Sequence, residues 1–315
     1  MRIILRTSVL IKWVVAMALP IFIHSSVSAA ECGEILLPTK LKFALVAYHP
    51  EGSLKFSQFA NKIASHVEAA ARNGADVVVF PELLVQDMVD HERGEDSFGE
   101  QVRELGRQWP QFLALQQKLA KDNHIIIYSG TFTRAVGDKV YNSGALIMPS
   151  GKTWIQDKMF MTPFEKRWNF TPGDKLQVIE TPWGKWVNLT CYDCEIPYLS
   201  NSLAEVEPTL ILVPSMTEAV AGFNRVRWTA QARAIEHKAY VVHTGMTGGP
   251  DSWPNYGQSA AIGPHDSVLS GMIGQGEVNV PGITYVDLDF AALERSRASD
   301  SVYPGRDQSE RGAKK

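Results

Sequence analysis

Cysteine is scarce. Cys32, Cys191 and Cys194 are the only three in 315 residues. That is too few for a disulfide-stapled scaffold, so the fold must rest on an apolar core. Basic charge is also short: 31 Lys and Arg stand against 34 Asp and Glu, a formal charge of −3. Nucleic-acid binding calls for a basic face, which this balance withholds. Beyond residue 30 no apolar run approaches the ~20 residues that span a bilayer. Low-complexity tracts, linkers and short-period repeats are missing too. No His-rich motif joins the Cys191/Cys194 pair, which argues against a metal set. What is present is an ordinary 45% apolar content, enough for one large domain.

The first thirty residues differ from the rest. Arg2, Arg6 and Lys12 precede an apolar run, Trp13 to Ile23, and small residues at Val27-Ser28-Ala29 and Ser28-Ala29-Ala30 suit a signal peptidase. Residues 1–30 therefore read as a secretory signal, with an uncleaved anchor as the alternative. Glu31 before Cys32 disfavours a lipoprotein anchor. Removing the leader leaves 28 basic against 34 acidic residues, a formal −6. The expected product is exported, periplasmic or secreted, with no stable membrane insertion after cleavage. Residues 31–40 form a short leader of the mature chain, 41–300 the folded domain, and 301–315 a loose charged tail.

Within the domain, strand and helix signals alternate. Strands are expected at 42–50, 76–82, 124–132, 141–151, 153–160, 186–190, 208–215, 240–246, 258–264, 267–274 and 283–290. Helical spacing runs over 54–73, 105–120, 226–239 and 290–298, with a short helix before 208. Strands that are apolar throughout imply sheets covered by helices. About twelve strands exceed one simple doubly wound sheet. Two facing sheets with helices outside would hold them.

"KWVNLTCYDCEIPYL" (185–199) delivers Cys191 from an apolar strand to a turn. Only a thiolate is a good nucleophile, so a base or cation is needed nearby. His243, at a strand end, is the best histidine for a Cys–His pair, although a satisfied strand-end histidine is its ordinary reading. Carboxylates and a lysine at strand ends suit better. Glu82 follows "VVVFP", Lys158 ends "TWIQDK", and Glu165 sits in "TPFEKRW". In α/β sheets ligands bind at such carboxyl ends. "NLT" at Asn188 and "NFT" at Asn169 fit the glycosylation pattern, but Asn188 falls in a strand expected to be buried.

"NGADVVVFPELL", "DKMFMTPFEKRWNFTPGD", "VNLTCYDCEIPYLSNSLAEVEPTLILVPS" and "RWTAQARAIEHKAYVVHT" occur in that order. With "QSAAIGPHDSVLS" and "GEVNVPGITYVDLDFAALERSR", they give the chain a resemblance to the nitrilase superfamily, the carbon–nitrogen hydrolases, over residues 41–298. The resemblance implies a four-layer αββα sandwich, no metal or organic cofactor, and a homodimer or higher homo-oligomer. It implies Cys191 as nucleophile, Glu82 as general base and acid, and Lys158 as oxyanion stabiliser. The Tyr192 backbone N–H would be a second oxyanion donor, and Glu165 would orient Lys158 or the attacking water. Phe164, Trp168 and Met216 are candidate pocket walls. Tyr192-Asp193 after the nucleophile resembles amidase-type branches, so a small-molecule amide is expected as substrate. Nitrile or N-carbamoyl hydrolysis and acyl transfer to an amine stay open. Of a different class is a thiol–disulfide function of Cys191 and Cys194.

Overall fold

The computed structural model describes residues 38–299 and 302–312. Residues 1–30, read above as a secretory signal, and residues 31–37 with Cys32 lie outside the described residues.

In chain order the first part contains β1 (Lys40–Ala47), α1 (Phe56–Arg72), β2 (Val77–Val79), α2 (Phe98–Leu105), α3 (Trp109–Asp122), β3 (Ile126–Val136), β4 (Lys139–Ile147), β5 (Thr153–Asp157) and α4 (Pro163–Arg167). The second contains β6 (Ile179–Thr181), β7 (Gly184–Asn188), α5 (Pro197–Val206), β8 (Leu210–Ser215), α6 (Val220–His237), β9 (Tyr240–Gly245), β10 (Ala260–Ile262), β11 (Met272–Gln275), β12 (Gly282–Asp289), α7 (Phe290–Ala298) and α8 (Pro304–Gly312). Two six-stranded sheets result, ordered β12-β1-β2-β3-β4-β5 and β11-β10-β9-β8-β7-β6. Each has a parallel centre, β1-β2-β3 and β7-β8-β9, flanked by antiparallel strands.

The period-two alternation of side chains explains why the sheets face one another. Val77 and Val79 point inward with Leu210 and Leu212 of the other sheet, where Trp186, Phe43 and Tyr240 join them. Val78 points the opposite way, into a layer with Phe59, Ile63 and Phe112 of α1 and α3. Ile211 and Val213 likewise turn outward to Leu199, Leu203, Ala230 and Ala234 of α5 and α6. Three apolar layers between four structural layers make the αββα sandwich. Each fully buried Val, Leu, Ile or Phe contributes about 1.5–3 kcal/mol, which is why three cysteines suffice. A parallel bridge between Tyr48 and Met246 stitches the sheets, with Thr247 N donating to Tyr48 O at 2.8 Å.

Some segments depart from expectation. The strand expected at 267–274 is reduced to β11, because Asp266 Oδ1 accepts from Val268 N and Leu269 N and folds the preceding residues into a turn. Within the tail expected to be loose, Pro304–Gly312 form α8. Tyr303 is buried and donates its hydroxyl to His237 O at 3.0 Å, and Pro304 starts the helix. Glu165 stands in the first turn of α4.

Candidate active site

Glu82 owes its position to an interrupted strand. Phe80 N still donates to Tyr128 O of β3 at 3.1 Å, but Pro81 has no N–H and the ladder stops. Opposite it, Gly130 has φ of 67°, and a Cβ there would run into the Pro81 carbonyl. Leu83 takes the left-handed conformation, φ 55°, held by its N–H on Thr131 Oγ1 at 2.8 Å. The chain thereby turns Glu82 inward, 2% exposed.

Lys158 lies one residue beyond β5. Its N–H donates to Asn142 O and its carbonyl accepts from Gly173 N, both at 2.8 Å. Its ammonium, 1% exposed, reaches Glu82 Oε1 at 2.8 Å and Glu165 Oε2 at 2.7 Å. Glu165 is placed by the local pattern Thr-Pro-Phe-Glu, a capping box. Its Oε2 also accepts from Thr162 N at 2.9 Å and Thr162 Oγ1 at 2.8 Å. Cys191 follows β7 with φ of 48°, an unusual conformation for a residue with a Cβ. Its Sγ donates to Met216 O at 3.6 Å, while Met216 N donates to Glu82 Oε2 at 2.9 Å. The backbone of Met216, just after β8, thus touches both carboxylate and thiol.

Glu82, Lys158, Glu165 and Cys191 therefore converge at the carboxyl ends of β2, β5, β7 and β8. Two carboxylates share one ammonium, and their environments separate them. Burial raises the pKa of Glu82; the attraction of Lys158 opposes this, Glu165 reinforces it, and the net shift is upward. Glu165 is also buried, but the Lys158 ion pair and the bonds from Lys158, Asn142 and Thr162 bring it below the ordinary glutamate value. Burial works against the Lys158 ammonium, yet Glu165 and Glu82 outweigh it and hold the proton firmly. Burial, then the Glu82 charge, push the Cys191 thiol well up, so the resting sulfur keeps its hydrogen.

Two further residues join the cluster: Asn142, which the sequence did not single out, and Asp193, read there as part of the Tyr192-Asp193 pair. Asn142 of β4 donates through Nδ2 to Glu82 Oε1 at 2.9 Å and Glu165 Oε1 at 3.0 Å. Its only sequence signal is an amide within a buried strand. Asp193 accepts from Phe160 N at 2.8 Å and Met159 N at 3.2 Å, tying the nucleophile turn to the chain after Lys158. Burial raises its pKa, against the pull of Lys158, to about 7.

A cavity of about 310 Å³ opens over Cys191. Phe164, Tyr192 and Met216 line it, and exposed Glu218 and Arg225 mark its outer rim. Trp168 does not line it. It packs edge-on behind Phe164 at 5.1 Å and against Trp253 at 5.3 Å, so it supports the wall from outside. His243 is buried in β9 with Nδ1 accepting from Arg227 Nε at 3.0 Å, the satisfied strand histidine of the ordinary reading. Cys194 is a free thiol, fully buried against Val226 and Ala230, and burial pushes it up to about 12. Such a thiol is a poor exchange partner. Asn188 is 4% exposed in β7, out of reach of a glycan.

The carbon–nitrogen hydrolase family profile matches residues 42–298. The chain is 28% identical over 275 residues to the probable hydrolase YhcX of Bacillus subtilis, covering 85% of this chain and 53% of that one, so it spans about half the length of that relative. It is 25% identical to the omega-amidase NIT3 of Saccharomyces cerevisiae over 83% of this chain and 91% of that one. The crystal structure of Saccharomyces cerevisiae Nit3, a member of branch 10 of the nitrilase superfamily, superposes with a TM-score of 0.72 at 23% identity, covering 84% and 95%. With the αββα sandwich already described, the profile match over most of its length identifies this chain as a member of the carbon–nitrogen hydrolase family, within the nitrilase superfamily.

Proposed function

We propose that the protein hydrolyses a small-molecule amide to an acid and ammonia or an amine through a thioester on Cys191. The observation that carries this reading is the Lys158 ammonium held between Glu82 and Glu165, beside a thiol at the floor of an open cavity. Glu82 takes the proton of Cys191 as sulfur attacks the carbonyl carbon. It then gives that proton to the leaving nitrogen and activates the water that releases the acid. The upward shift of Glu82 brings its proton affinity closer to what both duties need. Lys158 stabilises the developing oxyanion. The Tyr192 N–H, in the first turn after the nucleophile, lacks a partner within that turn and suits the second donor position. Glu165 stays ionised and holds Lys158 in place. The omega-amidase NIT3 of yeast, similar over most of both chains, supports amide over nitrile.

The test is a panel of amides, carbamoyl compounds and nitriles, scored by ammonia release and by mass spectrometry of a trapped Cys191 adduct. Amides should turn over and Cys191→Ala should abolish turnover. Silence across the panel with no adduct would overturn the reading.

A further inference from the structure

Asn142 is fully buried on β4 and does not line the cavity over Cys191. Both hydrogens of its amide nitrogen are engaged by carboxylates, Glu82 Oε1 at 2.9 Å and Glu165 Oε1 at 3.0 Å. Its amide oxygen finds no hydrogen-bond partner among the described residues. The backbone carbonyl of the same residue accepts Lys158 N at 2.8 Å. One residue thus grips both carboxylates by its side chain and the lysine by its backbone.

The two oxygens of Glu82 consequently differ. Oε1 accepts from Asn142 Nδ2 and from Lys158 Nζ at 2.8 Å, which fills both of its lone pairs. Oε2 accepts from Met216 N at 2.9 Å, Met216 O in turn receives the Cys191 thiol, and that thiol is also a hydrogen-bond partner of the Glu82 carboxylate. Resting on the amide hydrolysis proposed above, we infer that Asn142 is a positioning residue which, with Lys158, keeps Glu82 Oε1 an acceptor only and directs the thiol proton onto Oε2. As the Sγ–H bond breaks, the Oε2–H bond forms, the sulfur electron pair closes on the carbonyl carbon and the C=O π pair moves onto oxygen. The same hydrogen later moves from Oε2 to the leaving nitrogen, which keeps the electron pair of the broken C–N bond while the oxyanion pair re-forms C=O in the thioester.

The charged and titratable groups around Glu82 are Lys158 beyond β5, Glu165 on α4, Cys191 after β7 and Tyr128 on β3, with Asp193 acting on Lys158. Replacing the amide of Asn142 leaves all of these in place and removes one donor from each ionised carboxylate.

The test compares wild type with Asn142→Leu, close in shape but without donors, across pH. Losing a hydrogen bond to a charged group predicts a fall of about ten- to a hundredfold in kcat. KM should stay constant, because Asn142 touches no substrate. The acid limb of kcat/KM should move to higher pH, because the ionised form of Glu82 has lost a donor. A purely structural role would lower the melting temperature and the active fraction but leave the limb where it is. Asn142→Ser, which is smaller and also lacks the amide, should show the same displacement and serves if the leucine variant does not fold. A wild-type limb in whichever variant folds, or a loss confined to KM, overturns the inference while leaving amide hydrolysis intact. A wild-type protein that forms no Cys191 adduct with any amide overturns the proposed reaction instead.

Discussion

Replacing Lys158 by methionine tests the ion bridge most directly. The ammonium is 1% exposed and holds two carboxylates that are themselves buried. Removing one partner of a buried ion pair leaves uncompensated charge and costs about 3–5 kcal/mol. At about 2–4 °C per kcal/mol for a domain of this size, the melting temperature should fall by roughly 10 °C. The pH dependence has a definite sign. In Lys158→Met the two carboxylates face each other with no cation, so their pKa values in the folded state rise above those of the unfolded chain. The penalty is absent where both are protonated and grows as pH rises through the folded-state values. The gap between variant and wild type should therefore be wider at pH 8 than at pH 5. Turnover should fall by at least about a hundredfold, the usual cost of one oxyanion partner. The double variant Lys158→Met/Glu165→Gln removes one charge of each sign, so it should recover much of the stability and none of the rate. Thermal unfolding followed by circular dichroism, beside ammonia release, reads both. A single variant that melts like wild type at both pH values, or a double variant less stable than the single, would refute the argument.

Three further outcomes are expected. The kcat/KM of the wild type should rise with pH along an acid limb centred above the ordinary glutamate value, because Glu82 must be ionised to take the thiol proton and its neighbours raise it. Glu165→Gln should move that limb to lower pH, since the charge removed is one that raises Glu82; a limb that moves up would reject Glu82 as the titrating base. Cys194→Ala should keep turnover within a few-fold of wild type, lose about 1 kcal/mol of packing, and show no change in response to oxidant. Loss of activity on that substitution would return the thiol–disulfide reading to the front.

The layers were legible because alternation is a local property. Val77, Val78 and Val79, and Leu210 through Val213, announce strands buried on both faces, and such strands need helices or a second sheet on each side. Cys191, Glu82 and Lys158 were visible at strand ends through their resemblance to known segments. What local pattern does not carry is which side chains meet across the sandwich. Phe164 stands in α4 and Trp168 caps its end four residues on, yet only Phe164 reaches the cavity. Trp253, from a loop 85 residues further along, claims Trp168. Asn142 is one amide in an unremarkable strand until Glu82 and Glu165 arrive from 60 and 23 residues away. The charge-rich stretch after residue 300 read as solvated, but one buried tyrosine before Pro304 was enough to dock it.

The two glutamates show how identical side chains come to differ. Both are buried and both bind Lys158, so neither burial nor that ion pair separates them. The difference lies in the remaining donors. Glu165 Oε2 takes two bonds from Thr162 besides Lys158, because it sits in the capping box of α4, and its Oε1 takes Asn142. Donors on every side favour the anion. Glu82 has the Met216 N–H on its second oxygen, and its carboxylate is a hydrogen-bond partner of the Cys191 thiol. A carboxylate with a vacant lone pair toward an S–H group can accept a proton, and one enclosed by four donors cannot do so without losing a bond. On the proposed reaction, proton traffic therefore falls to Glu82 and the standing charge to Glu165, and the division follows from a helix cap at one residue and a broken strand at the other.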